Sequence, residues 1–180
     1  RAKVKITALE DLNVATFNLH NDLRLTKVSD AAGKVLTADR GPQDSSVRVS
    51  LVTPVAKDQS TTLTFEYSGV LDSADDSPVP GLKLSSINDD TTYLLYAGDW
   101  FPVNAYGIDR FSAVINITVP AHMIVIGSGT VSAGTEPTLK GAPASTDPIR
   151  TYALKYDKAS FPGTIVAGDF GDYASTDAGI

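Results

Sequence analysis

Apolar and polar positions alternate along this chain in a series of short runs. The clearest covers residues 111–119, where Phe111, Ala113, Ile115, Ile117 and Val119 interleave with Ser112, Asn116 and Thr118, and Val114 is the one lapse. A period of two puts successive side chains on opposite faces of a strand, so this run predicts a strand with one face on a core. Near the N-terminus Val4, Ile6 and Ala8 oppose Lys3, Lys5 and Thr7, and outward lysines suit the edge of a sheet. Val47, Val49 and Leu51 oppose Arg48 and Ser50 in a strand that should end at Pro54, which withdraws a backbone donor. Leu63, Phe65 and Tyr67 should point inward and Thr62, Thr64 and Glu66 outward.

Weaker runs at 14–19, 23–28, 35–36, 123–126, 149–156 and 164–169 complete the set of expected strands. Between them lie turn residues: His20-Asn21-Asp22, a hairpin turn at Asp30-Ala31-Ala32-Gly33-Lys34, and a loop over 39–45. The polar, doubly proline-bearing stretch 71–80 and the acidic Asn88-Asp89-Asp90 read as exposed loops. Residues 132–148, rich in Gly, Pro, Thr and Ala, allow a short hairpin at most. Helical periodicity nowhere persists beyond about two turns. The expected fold is all-β: a single β domain over residues 1–180 of saddle-shaped or sandwich-like, mostly antiparallel sheets with no substantial helix.

Composition narrows the function. Hydrophobic residues make up 42% and charged residues 20%, which suits a globular chain rather than a disordered one. A net charge of −6, with Lys and Arg scattered singly, argues against a nucleic-acid partner, because phosphate backbones need a cationic face. Glutamate occurs only at Glu10, Glu66 and Glu136, so the acidity is carried by aspartates, which favour turns. With no cysteine, the chain offers neither a disulfide framework nor a thiolate ligand or nucleophile. No apolar run approaches the roughly 18 residues of a membrane-spanning helix. Arg1 in place of an initiator Met, and the polar tail from Asp172, read as an excised piece of something larger.

The candidate chemistry is sparse. His20 and His122 fall at strand ends and read as surface turn residues, and H-E-x-x-H is absent. Gly127-Ser128-Gly129 lacks the G-x-S-x-G spacing of a nucleophile elbow and reads as a turn. The loops around Asp72, Asp75 and Asp76 and around Asp89 and Asp90 could offer oxygens to calcium, but neither has the D-x-[DN]-x-[DN]-G pattern. Trp100 is the sole tryptophan and sits in the corner Gly98-Asp99-Trp100-Phe101-Pro102. With Phe101, Tyr93, Tyr96 and Tyr106 it forms the densest aromatic cluster, able either to pack a core or to stack on a sugar or peptide.

These segments, taken together, carry a family likeness. Tyr93-Leu94-Leu95-Tyr96, Trp100-Phe101-Pro102, Asp109-Arg110-Phe111, Ile117-Thr118-Val119-Pro120 and Val125-Ile126-Gly127-Ser128-Gly129 resemble, in order, the N-terminal β domain of the aminopeptidase N and leukotriene-A hydrolase family of zinc metallopeptidases. The strands around Val4 and Phe17, and Phe161-Pro162-Gly163 through Phe170, extend the likeness over nearly the whole chain. The resemblance implies a noncatalytic domain that packs on a helical catalytic domain and walls the substrate cleft. It implies a parent that releases N-terminal amino acids from peptides and holds zinc in that other domain, with an extracytoplasmic or membrane-associated location. In many members of the family a Gln or Glu before the Phe-Pro corner holds the substrate's α-amino group; Leu95-Tyr96-Ala97-Gly98-Asp99 has neither, so that role is not carried over, although Asp99 offers a carboxylate for an ammonium group and, with Trp100 and Tyr96, is a candidate substrate-binding residue. This chain alone is expected to have no catalytic residue and no activity. A sheet face uncovered by the missing partner would favour a dimer of the isolated chain. The readings kept beside this one are a free-standing β-sandwich module binding glycan or peptide, and a calcium-stabilised surface module.

Overall fold

The computed structural model of the chain describes residues 1–41, 45–74, 79–104, 109–133 and 148–170. Tyr106, part of the acidic loop near Asp76, most of the expected 132–148 hairpin segment and the tail from Asp172 lie outside these residues.

Seven strands fill the first part of the chain: β1 (Ala2–Thr7), β2 (Leu12–Asn18), β3 (Arg24–Ser29), β4 (Val35–Leu36), β5 (Ala38–Arg40), β6 (Ser46–Val55) and β7 (Ser60–Ser68). They form two antiparallel sheets, ordered β1-β7-β3-β4 and β2-β6-β5. The alternation explains how these sheets meet. Val4 pairs with Leu63 and Phe17 with Val47, so each ladder carries an apolar row on one face. Those rows supply one core of Ala15, Phe17, Val28, Leu36, Val47, Val49, Leu63 and Phe65, closed by Leu19, Leu23 and Leu71. Phe17 and Phe65 meet edge to face at 5.0 Å, the geometry that ring quadrupoles favour. Each fully buried Leu, Val or Phe here contributes about 1.5–3 kcal/mol.

The second part holds β8 (Ser85–Ile87), β9 (Thr91–Leu94), β10 (Phe111–Pro120), β11 (Ile124–Gly127), β12 (Thr130–Ala133), β13 (Ile149–Ser160) and β14 (Ile165–Gly168). These make two further antiparallel sheets, β11-β14-β9-β8 and β10-β13-β12. A second core lies on them: Val125, Tyr152, Leu154, Tyr156, Ile165 and Ala167, with Ala113, Ile115, Ile117 and Val119 packed against it. The expected inward row of β10 is therefore the observed one, and Val114 stands outward, 65% exposed. Among the described residues the helical content is one 3-10 turn, Tyr96–Gly98.

Several expectations needed correction. Pro54 does not end its strand. β6 continues to Val55, paired with β2 through a bulge, and by then it has run past its pairs with β5, so no ladder bond is lost on that side. Asp39 and Arg40 are not loop but the end of β5. Thr64 is buried although it lies on the row expected to face outward, on a strand flanked in its sheet by β1 and β3. The acidic turn at Asn88 joins two strands, β8 and β9, which alternation did not reveal; Asn88 Oδ1 accepts the N–H groups of Asp90 and Thr91 at 3.1 and 2.8 Å. The hairpin turn at Asp30 is as expected, with Asp30 Oδ1 taking the N–H groups of Ala32 and Lys34, both at 2.9 Å, and Gly33 at a φ of +85°.

Candidate functional site

The aromatic corner is assembled from backbone constraints before any side chain acts. After β9, Leu95 is extended and accepts the N–H of Gly98 at 2.9 Å, closing the 3-10 turn. Gly98 has no room for a Cβ, which would sit 1.9 Å from Ser85 Oγ and 3.0 Å from the carbonyl of Leu84. Asp99 then takes a left-handed conformation with φ of +47°, which aspartate tolerates better than most residues and which reverses the chain.

Both sides of the corner are tied to distant chain. The carbonyl of Asp99 accepts the N–H of His20 at 2.8 Å, and Val103 exchanges two backbone hydrogen bonds with Asn18, at 2.7 and 3.1 Å. On the other side Trp100 Nε1 donates to the carbonyl of Gly163 at 2.9 Å. Gly163 has a φ of +112°, and a Cβ there would lie 2.7 Å from the Phe101 ring. The indole packs against both cores, as does Leu94. Trp100 thus sits on the seam between the two halves.

The structure gathers Tyr96 and Trp100 into one aromatic group and adds residues that the sequence did not single out for the site. Phe101 meets Trp100 edge to face at 4.6 Å, and Tyr96 lies 6.3 Å from Phe101, 6.2 Å from Phe111 and 5.3 Å from Phe161. The guanidinium of Arg110 stands 5.6 Å from the Phe161 ring centre, a cation–π contact. Phe161 is partly exposed, and an open groove of about 430 Å³ runs beside it, lined in part by Ser128, Lys155, Tyr156 and Lys158. The clue to Phe161 was Phe161-Pro162-Gly163, an aromatic two residues before a glycine, and that glycine takes a positive φ. Asp99, by contrast, is only 6% exposed.

His20 corrects the surface reading of that residue: it is buried. Its Nδ1 accepts the N–H of Asp22 at 3.1 Å, and its carbonyl, with those of Leu19 and Leu23, is capped by the Arg40 guanidinium. Asp22 in turn holds the start of the 71–74 loop, taking the N–H groups of Asp72 and Ser73 at 3.0 and 2.9 Å. Burial works to raise its pKa, but these hydrogen bonds and nearby His20 outweigh it and hold the carboxyl below its ordinary value. Asp72 is also paired with Lys83 at 2.7 Å. His122 is exposed. Among the described residues no group of three or more His, Cys, Asp or Glu could hold a metal ion.

No protein-family model and no curated protein matches the sequence. Solved structures do match. An M1 zinc metallopeptidase from Deinococcus radiodurans superposes with a TM-score of 0.73 at 17% identity, covering 92% of this chain and 36% of that one. A two-domain M1 zinc metallopeptidase mutant bound to L-tryptophan gives the same TM-score and identity, with 92% of this chain and 37% of that one covered. A mutant of the Deinococcus radiodurans enzyme bound to a Tyr-Ser-Ala substrate again matches at 0.73 and 17%, over 92% and 36%. The chain thus spans little more than a third of each. At this identity the likeness is one of architecture: the chain has the fold of a β portion of the M1 zinc metallopeptidases.

Proposed function

We propose that this chain is the noncatalytic N-terminal β domain of a zinc aminopeptidase-like protein, and that it walls the substrate cleft of a catalytic domain carried elsewhere in that protein. The observation that carries the reading is the fold match over 92% of the chain to proteins of which it spans about a third. The parent reaction would be release of N-terminal amino acids from peptides, with zinc held by the catalytic domain. In that setting Tyr96 and Trp100, with Asp99 at the corner, are the substrate-side candidates. Tyr96 is the better placed of these to touch a ligand, being half-exposed among Phe101, Phe111 and Phe161.

The test uses the full-length parent. Its sequence should carry H-E-x-x-H beyond residue 180, and its hydrolysis of aminoacyl substrates should be abolished by a chelator and restored by zinc. Tyr96→Ala should raise KM several-fold. A parent without the metal motif would refute the reading. A second reading, a free-standing module binding glycan or peptide, is favoured only by the exposed ring of Phe161 beside Tyr96. Binding on an array that is lost with Phe161→Ala, in a chain with no catalytic continuation, would support it instead.

A further inference from the structure

The four sheets treat their edges differently. β1, an edge strand, presents Lys3 and Lys5 outward, the usual guard against pairing with another chain. β10 is also an edge: its only ladder partner among the described residues is β13. It is ten residues long, FSAVINITVP, and holds no charged residue. Its core-facing row remains incompletely covered. Ala113, Ile115, Ile117 and Val119 are each half-buried, whereas Tyr152, Leu154 and Tyr156 on the neighbouring β13 are buried. On the opposite face Val114 is 65% exposed. A row of half-covered isoleucines beside a ladder satisfied on one side is the signature of a strand that lacks a neighbour.

We propose that this neighbour is β10 of a second copy of the chain, paired antiparallel about a two-fold axis. The strand is self-complementary in that arrangement. Centred on Ile115, it sets Ala113 opposite Ile117 and Phe111 opposite Val119 on the core side, and Val114 opposite Asn116 and Ser112 opposite Thr118 on the outer side. Every core-facing pair is apolar, and Arg110 falls opposite Pro120 rather than another cation. The net charge of −6 penalises most approaches of two copies, and β10 is a stretch where no like charges meet. A bulge between Phe111 and Ala113 and Pro120 at the other end make the pairing firmest over residues 113–117, with the outer pairs at its margins. The product is a continuous six-stranded sheet, β12-β13-β10 joined to its symmetry mate, that closes both open edges at once. This inference rests on the edge alone and stands independently of the proposed function.

Sedimentation velocity on the chain over a wide concentration range tests it. The wild type should pass from monomer to dimer. Val114→Glu with Asn116→Glu places like charges directly opposite across the axis and should weaken the dimer at least about tenfold. Both side chains are exposed, and the glutamate at 114 faces Lys155 within its own sheet, so the thermal midpoint should hold. Val114→Glu with Asn116→Lys restores opposite charges across the axis and should recover the dimer. A wild type that stays monomeric throughout, or a double-glutamate variant that dimerises as tightly as the wild type, would overturn the proposal. So would a dimer whose amides at 113–117 gain no protection from hydrogen exchange.

Discussion

Trp100→Ala is the perturbation that weighs the structural role of the corner most directly. The indole does two things: it donates to the carbonyl of Gly163 at 2.9 Å, and it packs against both cores. Truncating a buried Trp or Phe to Ala costs about 3–5 kcal/mol, and losing a net hydrogen bond about 0.5–1.5 kcal/mol within that. Trp100 is only partly buried, so the expected loss is at the lower end, about 3 kcal/mol. For a domain of this length that lowers the midpoint by roughly 6–12 °C. Trp100→Phe keeps most of the ring area but leaves the Gly163 carbonyl without its donor, and should cost about 1–2 kcal/mol. Urea titration followed by far-UV circular dichroism reads both, since the sole tryptophan is lost as a fluorophore. A loss below about 1 kcal/mol for Trp100→Ala would refute the seam role and leave the side chain to ligand contact.

Further expectations follow from the same geometry. Gly69→Ala would put a Cβ 2.0 Å from the carbonyl of Asp22, a backbone atom that cannot step aside, and should destabilise by about 3 kcal/mol or more in a thermal melt. Asp22 has a folded pKa below its unfolded value of 3.8, so its contribution is full above that value and is lost as pH falls through the folded pKa. Asp22→Asn should therefore flatten the acid limb of a stability-against-pH curve, and an unchanged limb would count against the 71–74 staple. Burial pushes the Tyr67 phenol up to about 12, so the unfolded state ionises first and stability should fall as pH rises above about 10. Absorbance titration of Tyr67→Phe should remove the last phenolate to appear. Gly163→Ala should loosen the Trp100 and Phe101 contacts and cost about 1–3 kcal/mol, from both the positive φ and the ring clash.

Strands whose partners lie on one side of a core were legible from alternation alone. β1, β6 and β10 each show the inward rows expected, down to the outward Val114. Long-range hydrogen bonding was not legible. His20 reads as a turn residue because nothing local announces that its N–H will meet the carbonyl of Asp99 or that Arg40 will cap the carbonyl beside it. Pro54 reads as a stop because the sequence does not tell which side of a strand lacks a partner. The corner itself was visible as a cluster of aromatics, but Phe111 and Phe161 join Tyr96 only through the pairing of β10 with β13, which sets Phe111 opposite Ser160.

The tie between Trp100 and Gly163 also bears on how the chain assembles. The first core draws its buried residues from 15 to 71 and the second from 125 to 167, so each is closed by a contiguous stretch of chain. Contacts of modest sequence separation form before those that must first close a long loop. The N-terminal half can therefore condense while the remainder is still emerging from the ribosome. The 63-residue closure from Trp100 to Gly163 must in any case wait until synthesis has delivered the chain up to β14.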